Sequence, residues 1–221
     1  MRARPSSAGS PRAPASFGTR VSRMKLFQEE QGNTPLDEDE SEGLIPPHLS
    51  TRAELNQWEA NNIESAQEWA TQRISEVLDV TFLGELHQRM FGMTWEWAGS
   101  YRKSDKNITP HSWTQVPTLM RDLVDNTRAQ YDASSKAGTE VDEIAARFHH
   151  GLVHIHPWAS GNGRHARLAT ELLLRQWGRP PFTWGNGSDL VSGGEPRSAY
   201  LGSLKDADRG DFASLIRFVR S

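Results

Sequence analysis

From about residue 50 onward, apolar positions recur at helical spacing, and this predicts a mainly helical fold. Leu55, Trp58, Ala66 and Trp69 form the first stripe, interrupted by Asn62. It opens on Thr51-Arg52-Ala53-Glu54, where a hydroxyl and a carboxylate three residues apart can satisfy each other's backbone N–H groups, so a helix starts near Ser50 or Thr51. A second helix is predicted over 80–91, with Phe82, Leu83, Leu86, Met90 and Phe91 on its apolar side and Gly92 as its stop. A third starts at Pro117, a good first-turn residue, and runs to about Tyr131 along Leu119, Leu123 and Val124. After a loop over 134–139, a fourth is predicted over 142–154 and carries Ile144, Ala145, Phe148 and Leu152. A fifth, over 163–177, carries Leu168, Leu172 and Leu173 and ends at Gly178, Pro180 and Pro181. A sixth near 196–206 and a last one holding Phe212, Leu215, Ile216, Phe218 and Val219 complete the pattern. The helical period breaks between 94 and 116, where Ile108, Pro110, Trp113 and Val116 alternate with polar residues and suggest a short hairpin or ordered loop. No internal repeat and no βαβ alternation is present.

Composition divides the chain. Residues 1–23 are rich in Arg, Ser, Ala and Pro with almost no large apolar residue, which predicts a disordered extension or a start misassigned upstream of Met24. Residues 24–49 read as an acidic, extended arm, leaving 50–221 as one helical domain of ordinary size. No window approaches the roughly 18 consecutive apolar residues of a membrane span. A net charge of -3 speaks against direct nucleic-acid binding, so any phosphate recognition has to be local. The absence of cysteine removes disulfides, thiolate metal sites and a thiol nucleophile, and fits a cytoplasmic protein. The eight tryptophans read mainly as core.

One segment carries chemistry. His156-Pro157-Trp158-Ala159-Ser160-Gly161-Asn162-Gly163-Arg164-His165-Ala166-Arg167 links one helix end to the next helix start. A helix N-terminus offers unpaired N–H groups and a positive dipole end to an anion. Gly161 and Gly163 let the backbone approach a ligand, and Asn162 can add a donor. Arg164 and Arg167, three apart, share a face of the new helix and suit phosphate oxygens. His156, on the far side of the loop, is a base suited to a hydroxyl nucleophile near neutral pH. A phosphate cradle, two guanidinium groups and a base are the parts that nucleotidyl transfer needs.

This segment resembles the signature of the Fic/Doc family, His-Pro-Phe-x-(Asp/Glu)-Gly-Asn-Gly-Arg-x-x-Arg. The match holds at His156, Pro157, Gly161, Asn162, Gly163, Arg164 and Arg167, with Trp158 in the aromatic place. Trp97 to Arg102 looks like the segment before the family's target-docking flap, and Arg197, Tyr200, Leu204 and 207–211 look like its closing helices. Thr34-Pro35-Leu36, 43–46 and Glu54-Leu55-Asn56 resemble the bacterial branch called mobile mystery protein B. The resemblance implies a Fic-type helical bundle with a short β-hairpin flap. It implies a protein adenylyltransferase in which His156 deprotonates a Ser, Thr or Tyr hydroxyl of a target protein and the oxygen attacks the α-phosphate of ATP. It assigns the α- and β-phosphates to Gly161, Asn162 and Gly163, the β- and γ-phosphates to Arg164 and Arg167, and the target main chain to a flap that includes Asn107, Ile108, Thr109 and Pro110. The branch implies a mobile-element, toxin–antitoxin-like setting with a helix-turn-helix partner protein.

The chain departs from the signature at Ser160, where the family has the acid that holds Mg²⁺. A hydroxyl is a far weaker ligand for that ion. The departure keeps open a second reading, a nucleotide-binding regulator with altered or lost transfer. The family's inhibitory pattern, (Ser/Thr)-x-x-x-Glu-(Gly/Asn), is partly met by Ser50 and Glu54, although Glu54 is equally the acid of the capping box. His149, His150, His154, His156 and His165 cluster in sequence, and His150 and His154 are spaced i, i+4. The zincin pattern would need Glu after the first of these, and Gly151 stands there.

Overall fold

The computed structural model describes residues 36–73, 77–186, 190 and 194–221. The expectations for 1–23 and for the first part of the arm lie outside the described residues. The helices are α1 (Glu38–Glu42), α2 (Arg52–Thr71), α3 (Val80–Phe91), α4 (Val116–Ala133), α5 (Gly138–Ile155), α6 (Asn162–Gln176), α7 (Glu195–Asp208) and α8 (Ala213–Arg220). None of them is long and apolar enough to cross a membrane.

Local chemistry sets the boundaries. Thr51 accepts the Glu54 N–H at 3.2 Å while the Glu54 carboxylate accepts the Thr51 N–H at 3.0 Å. Glu54 also accepts from the Ser50 backbone and hydroxyl, and these donors hold its carboxyl below the usual range. It is therefore the capping acid of this helix. Asp79 caps α3 through the Thr81 and Phe82 N–H groups. α5 begins four residues before the expected 142, because Ala137 in extended conformation lets the helix start at Gly138.

Two apolar clusters fill the molecule. One gathers Leu55, Ala66, Leu83, Met90, Met120, Phe148 and Leu172 between α2, α3, α4 and the inner faces of α5 and α6. The other packs Val141, Leu174, Trp184, Tyr200, Leu204, Leu215 and Val219 beneath α7 and α8. α5 and α6 contribute to both, so the loop joining them lies where the two halves meet.

Residues 107–116 form no hairpin. They run as turns and one 3₁₀ turn (Trp113–Gln115), and the one bridge among the described residues pairs Leu44 with Trp95. Pro110 lacks an N–H, and neighbouring groups are already engaged. Trp113 donates its N–H to Asp105 at 2.8 Å, and the His111 carbonyl accepts from Arg102 at 2.7 Å.

Arg102 is fully buried and fans out to three carbonyls: His156 from Nε at 2.8 Å, Ser104 from Nη1 at 2.7 Å and His111 from Nη2 at 2.7 Å. Its backbone N–H donates to Pro157 O at 2.9 Å. Replacing it by Met keeps most of the volume but strands three carbonyls. Arg102→Met is expected to cost roughly 3 kcal/mol of stability, read from urea unfolding midpoints.

Candidate active site

α5 ends at His156, whose left-handed conformation (φ 55°, ψ 60°) turns the chain out of the helix. The loop then reaches Gly161, also left-handed (φ 79°), which is the N-cap of α6. Gly161 is required twice over, since a Cβ there would sit 2.6 Å from the Phe91 ring. At Gly163 a Cβ would meet nothing closer than Arg167 at 3.7 Å, so this side of the helix start is open.

The His156 side chain is 7% exposed, and burial above all pushes it down to about 4. It is neutral at pH 7. Nδ1 lies 3.4 Å from Val153 O, which puts the ring proton on Nδ1 and the lone pair on Nε2. Asn162 is buried and clasps Trp158 on both sides, accepting its N–H at 2.9 Å and donating to its carbonyl at 2.9 Å. The expected side-chain donor is thus used to shape the loop, and Asn162 offers the ligand its backbone. Ser160 is half-buried, and its carbonyl accepts from His87 Nε2 at 3.1 Å.

The two arginines share a helix face but have different partners. Arg164 donates to Glu59 at 2.7 Å and lies over the Phe91 ring. Arg167 leans over the Tyr200 ring, with its guanidinium 5.8 Å from the centroid. Burial lowers the Arg167 pKa, and Tyr200 partly offsets this. Among the described residues no carboxylate comes within ion-pair distance of Arg167. Glu171 acts on it only from beyond ion-pair distance, so this desolvated cation beside a helix N-terminus is suited to an anionic ligand.

Several residues of the site carry no motif that singles them out in the sequence. Glu59 is buried on α2 and takes both Arg164 and the Trp95 indole N–H at 2.7 Å. Its signal was an acid four residues after Leu55, on the buried stripe. His87 is a fully buried strut that accepts the Gly99 N–H at Nδ1 (3.0 Å), donates to Ser160 O and stacks on Trp158. His149 hydrogen-bonds the Tyr200 hydroxyl at 2.8 Å behind Arg167. In the flap, Asn107, Ile108 and Pro110 are exposed, while Thr109 donates its hydroxyl to His154 O at 2.7 Å. The arm reaches the flap base, where buried Lys106 pairs with Glu40 at 2.6 Å and Asp37 at 3.0 Å.

This helix–loop–helix site fits the Fic/DOC family model, which matches residues 77–174. Residues 77–174 form a Fic/DOC family domain. The protein adenylyltransferase Fic of Nematostella vectensis is 32% identical over 149 residues, covering 66% of this chain and 32% of the relative. That of Drosophila willistoni is 28% identical over 163 residues, covering 71% and 30%. The chain spans about a third of the length of these curated relatives. Among solved structures, BepC from Bartonella tribocorum with bound AMPPNP has a TM-score of 0.62 at 15% identity, covering 83% of this chain and 97% of that one. Fic-1 from C. elegans (E274G) has a TM-score of 0.56 at 25% identity, covering 81% and 51%.

Burial holds six imidazoles below their ordinary value near 6.5: His87, His111, His150, His149 (about 3), His156 (about 4) and His165 (about 4). The unfolded chain takes up these protons first, so stability is full above about pH 6.5 and falls as the pH drops toward 4. Urea midpoints measured between about pH 7.5 and about pH 5 are expected to decrease steadily. A flat profile would contradict neutral burial of these rings.

Proposed function

We propose that this chain is a protein adenylyltransferase that moves AMP from ATP to a hydroxyl side chain of a target protein. The observation that carries the reading is the meeting of a neutral His156 with the N-terminus of α6 and a desolvated Arg167 that has no carboxylate within ion-pair distance among the described residues. The relatives named protein adenylyltransferase support it, as does the AMPPNP bound to BepC.

In this mechanism His156 accepts the hydroxyl proton at Nε2. The freed oxygen bonds to the α-phosphorus, the bond from that phosphorus to the β-phosphate oxygen breaks, and pyrophosphate leaves. The backbone N–H groups of Asn162, Gly163 and Arg164 face the phosphates, with Gly161 supplying the turn that exposes them. Arg167 neutralises the outer phosphates. Arg164 does so as well once a phosphate competes with Glu59 for it. The exposed backbone of Asn107, Ile108 and Pro110 receives the target's main chain, and Thr109 anchors that segment to α5.

Mg²⁺ does not fit the residues present. The loop over 156–163 has no carboxylate, Ser160 offers a hydroxyl, and both Glu59 oxygens are taken. No step is therefore assigned to a protein-held ion. Ser160 is also what favours a second reading, a nucleotide-binding regulator without transfer. The cysteine-free sequence supports a reducing compartment such as the cytoplasm. A helix-turn-helix partner, implied by the branch resemblance, is tested by co-purification.

With α-labelled ATP and a lysate, the wild type is expected to label a protein. His156→Ala is expected to lose this while still binding ATP. Tight ATP binding with no label from either chain selects the regulator. Ser160→Asp is expected to raise Mg²⁺-dependent labelling, and an unchanged rate would mean that the missing acid is not limiting.

A further inference from the structure

His150 and His154 lie one turn apart on α5, so their rings share a face, with centroids 5.3 Å apart. Asp208, the last residue of α7, comes up to the same face from more than 50 positions away. Its Oδ1 is 2.8 Å from His150 Nε2 and 2.9 Å from His154 Nδ1. The candidate ligand atoms of all three residues lie within 4.8 Å of one another. Side-chain exposures of 13% for His150, 31% for His154 and 44% for Asp208 leave one side of the group open to solvent.

We propose that His150, His154 and Asp208 form a binding site for one divalent transition-metal ion of the zinc type. Tetrahedral zinc, with bonds of about 2.0–2.2 Å, holds its donors roughly 3.3 Å apart, so each ring nitrogen has to move roughly 0.5 Å away from the Asp208 oxygen. Two imidazoles and one carboxylate are borderline ligands that suit Zn²⁺, Co²⁺ or Ni²⁺. Mg²⁺ and Ca²⁺ prefer all-oxygen sites. In the empty arrangement both ring N–H groups point at Asp208. The ion takes their place by a tautomer shift that moves each ring proton to the other nitrogen. Three protein ligands leave a fourth position for water or for a group brought by a partner.

The surroundings hold these ligands in place. Phe212 packs its edge against the His150 ring at 5.3 Å, and His111 stands perpendicular to the His154 ring at 5.0 Å. The His154 carbonyl is fixed by Thr109 of the flap segment. A bound ion would therefore tie α5, two residues before His156, to α7 beneath the flap. This site is separate from the phosphate cradle and stands whether or not transfer occurs.

The test uses the untagged full chain, stripped by a chelator and titrated with Co²⁺ in the absence of nucleotide. One Co²⁺ per chain with a visible d–d absorption band, displaced by Zn²⁺, is expected. Zn²⁺ is also expected to raise the melting temperature of the wild type. Asp208→Asn and His154→Gln, checked for native helix content by circular dichroism, are each expected to weaken binding. Changes behind a ligand already cost about 10–100-fold, so losing a direct ligand costs at least that. No stoichiometric band with the wild type overturns the site. So does unchanged affinity in either folded variant, and the triad is then only a hydrogen-bonded staple between α5 and α7. Because ATP is absent, failure here says nothing against adenylyl transfer, and success does not depend on it.

Discussion

The buried guanidinium of Arg102 is the constraint on which the site depends. A cation taken out of water has to be matched by acceptors, and here three carbonyls from two different segments do so. One belongs to His156, whose left-handed backbone ends α5. The other two belong to the segment that forms the flap. One side chain therefore sets the distance between His156 and the exposed segment over 107–110. Burial lowers the Arg102 pKa, yet guanidinium stays charged at any physiological pH, so the clamp does not depend on protonation.

Around that clamp the loop is built from neutral, hydrogen-bonded polar groups inside aromatic packing. Trp158 is sandwiched between His87 and Tyr101, and Asn162 closes its backbone. His165 accepts from the Trp158 indole and donates to Leu83 O. The tautomers of His87 and His165 are set by these partners, which keeps positive charge out of the interior. Two further cations stand at the start of α6. There Arg164 is balanced by Glu59, and Arg167 by Tyr200 and, more weakly, by Glu171.

Much of this was legible in the sequence wherever the information was local. The capping box at Thr51, the span of α3, Pro117 at the start of α4 and the whole loop from His156 to Arg167 depend on residues close together in the chain. What depended on distant pairing was not. Arg164 meets Glu59 from 105 positions away, and a charged residue on an apolar stripe was the only trace of it. The alternation at Ile108, Pro110 and Trp113 resembled a strand, but carbonyls captured by Arg102 leave no ladder to form. Asn162 illustrates a different limit. The sequence suggested a side-chain donor for a ligand, but the side chain turns inward because the loop itself has donors and acceptors to satisfy.

The latch of Lys106 onto Asp37 and Glu40 has a consequence for where the working unit begins. The family match starts at residue 77, yet Lys106, at the base of the exposed 107–110 segment, is paired among the described residues with Asp37 and Glu40. Glu59, which restrains the first arginine of the cradle, also lies upstream of the match. Inherited module and physical module are therefore not the same length. A fragment cut to the boundaries of the first would retain every residue of the signature. It would also expose a buried ammonium and release a guanidinium, two charges that the longer unit had balanced.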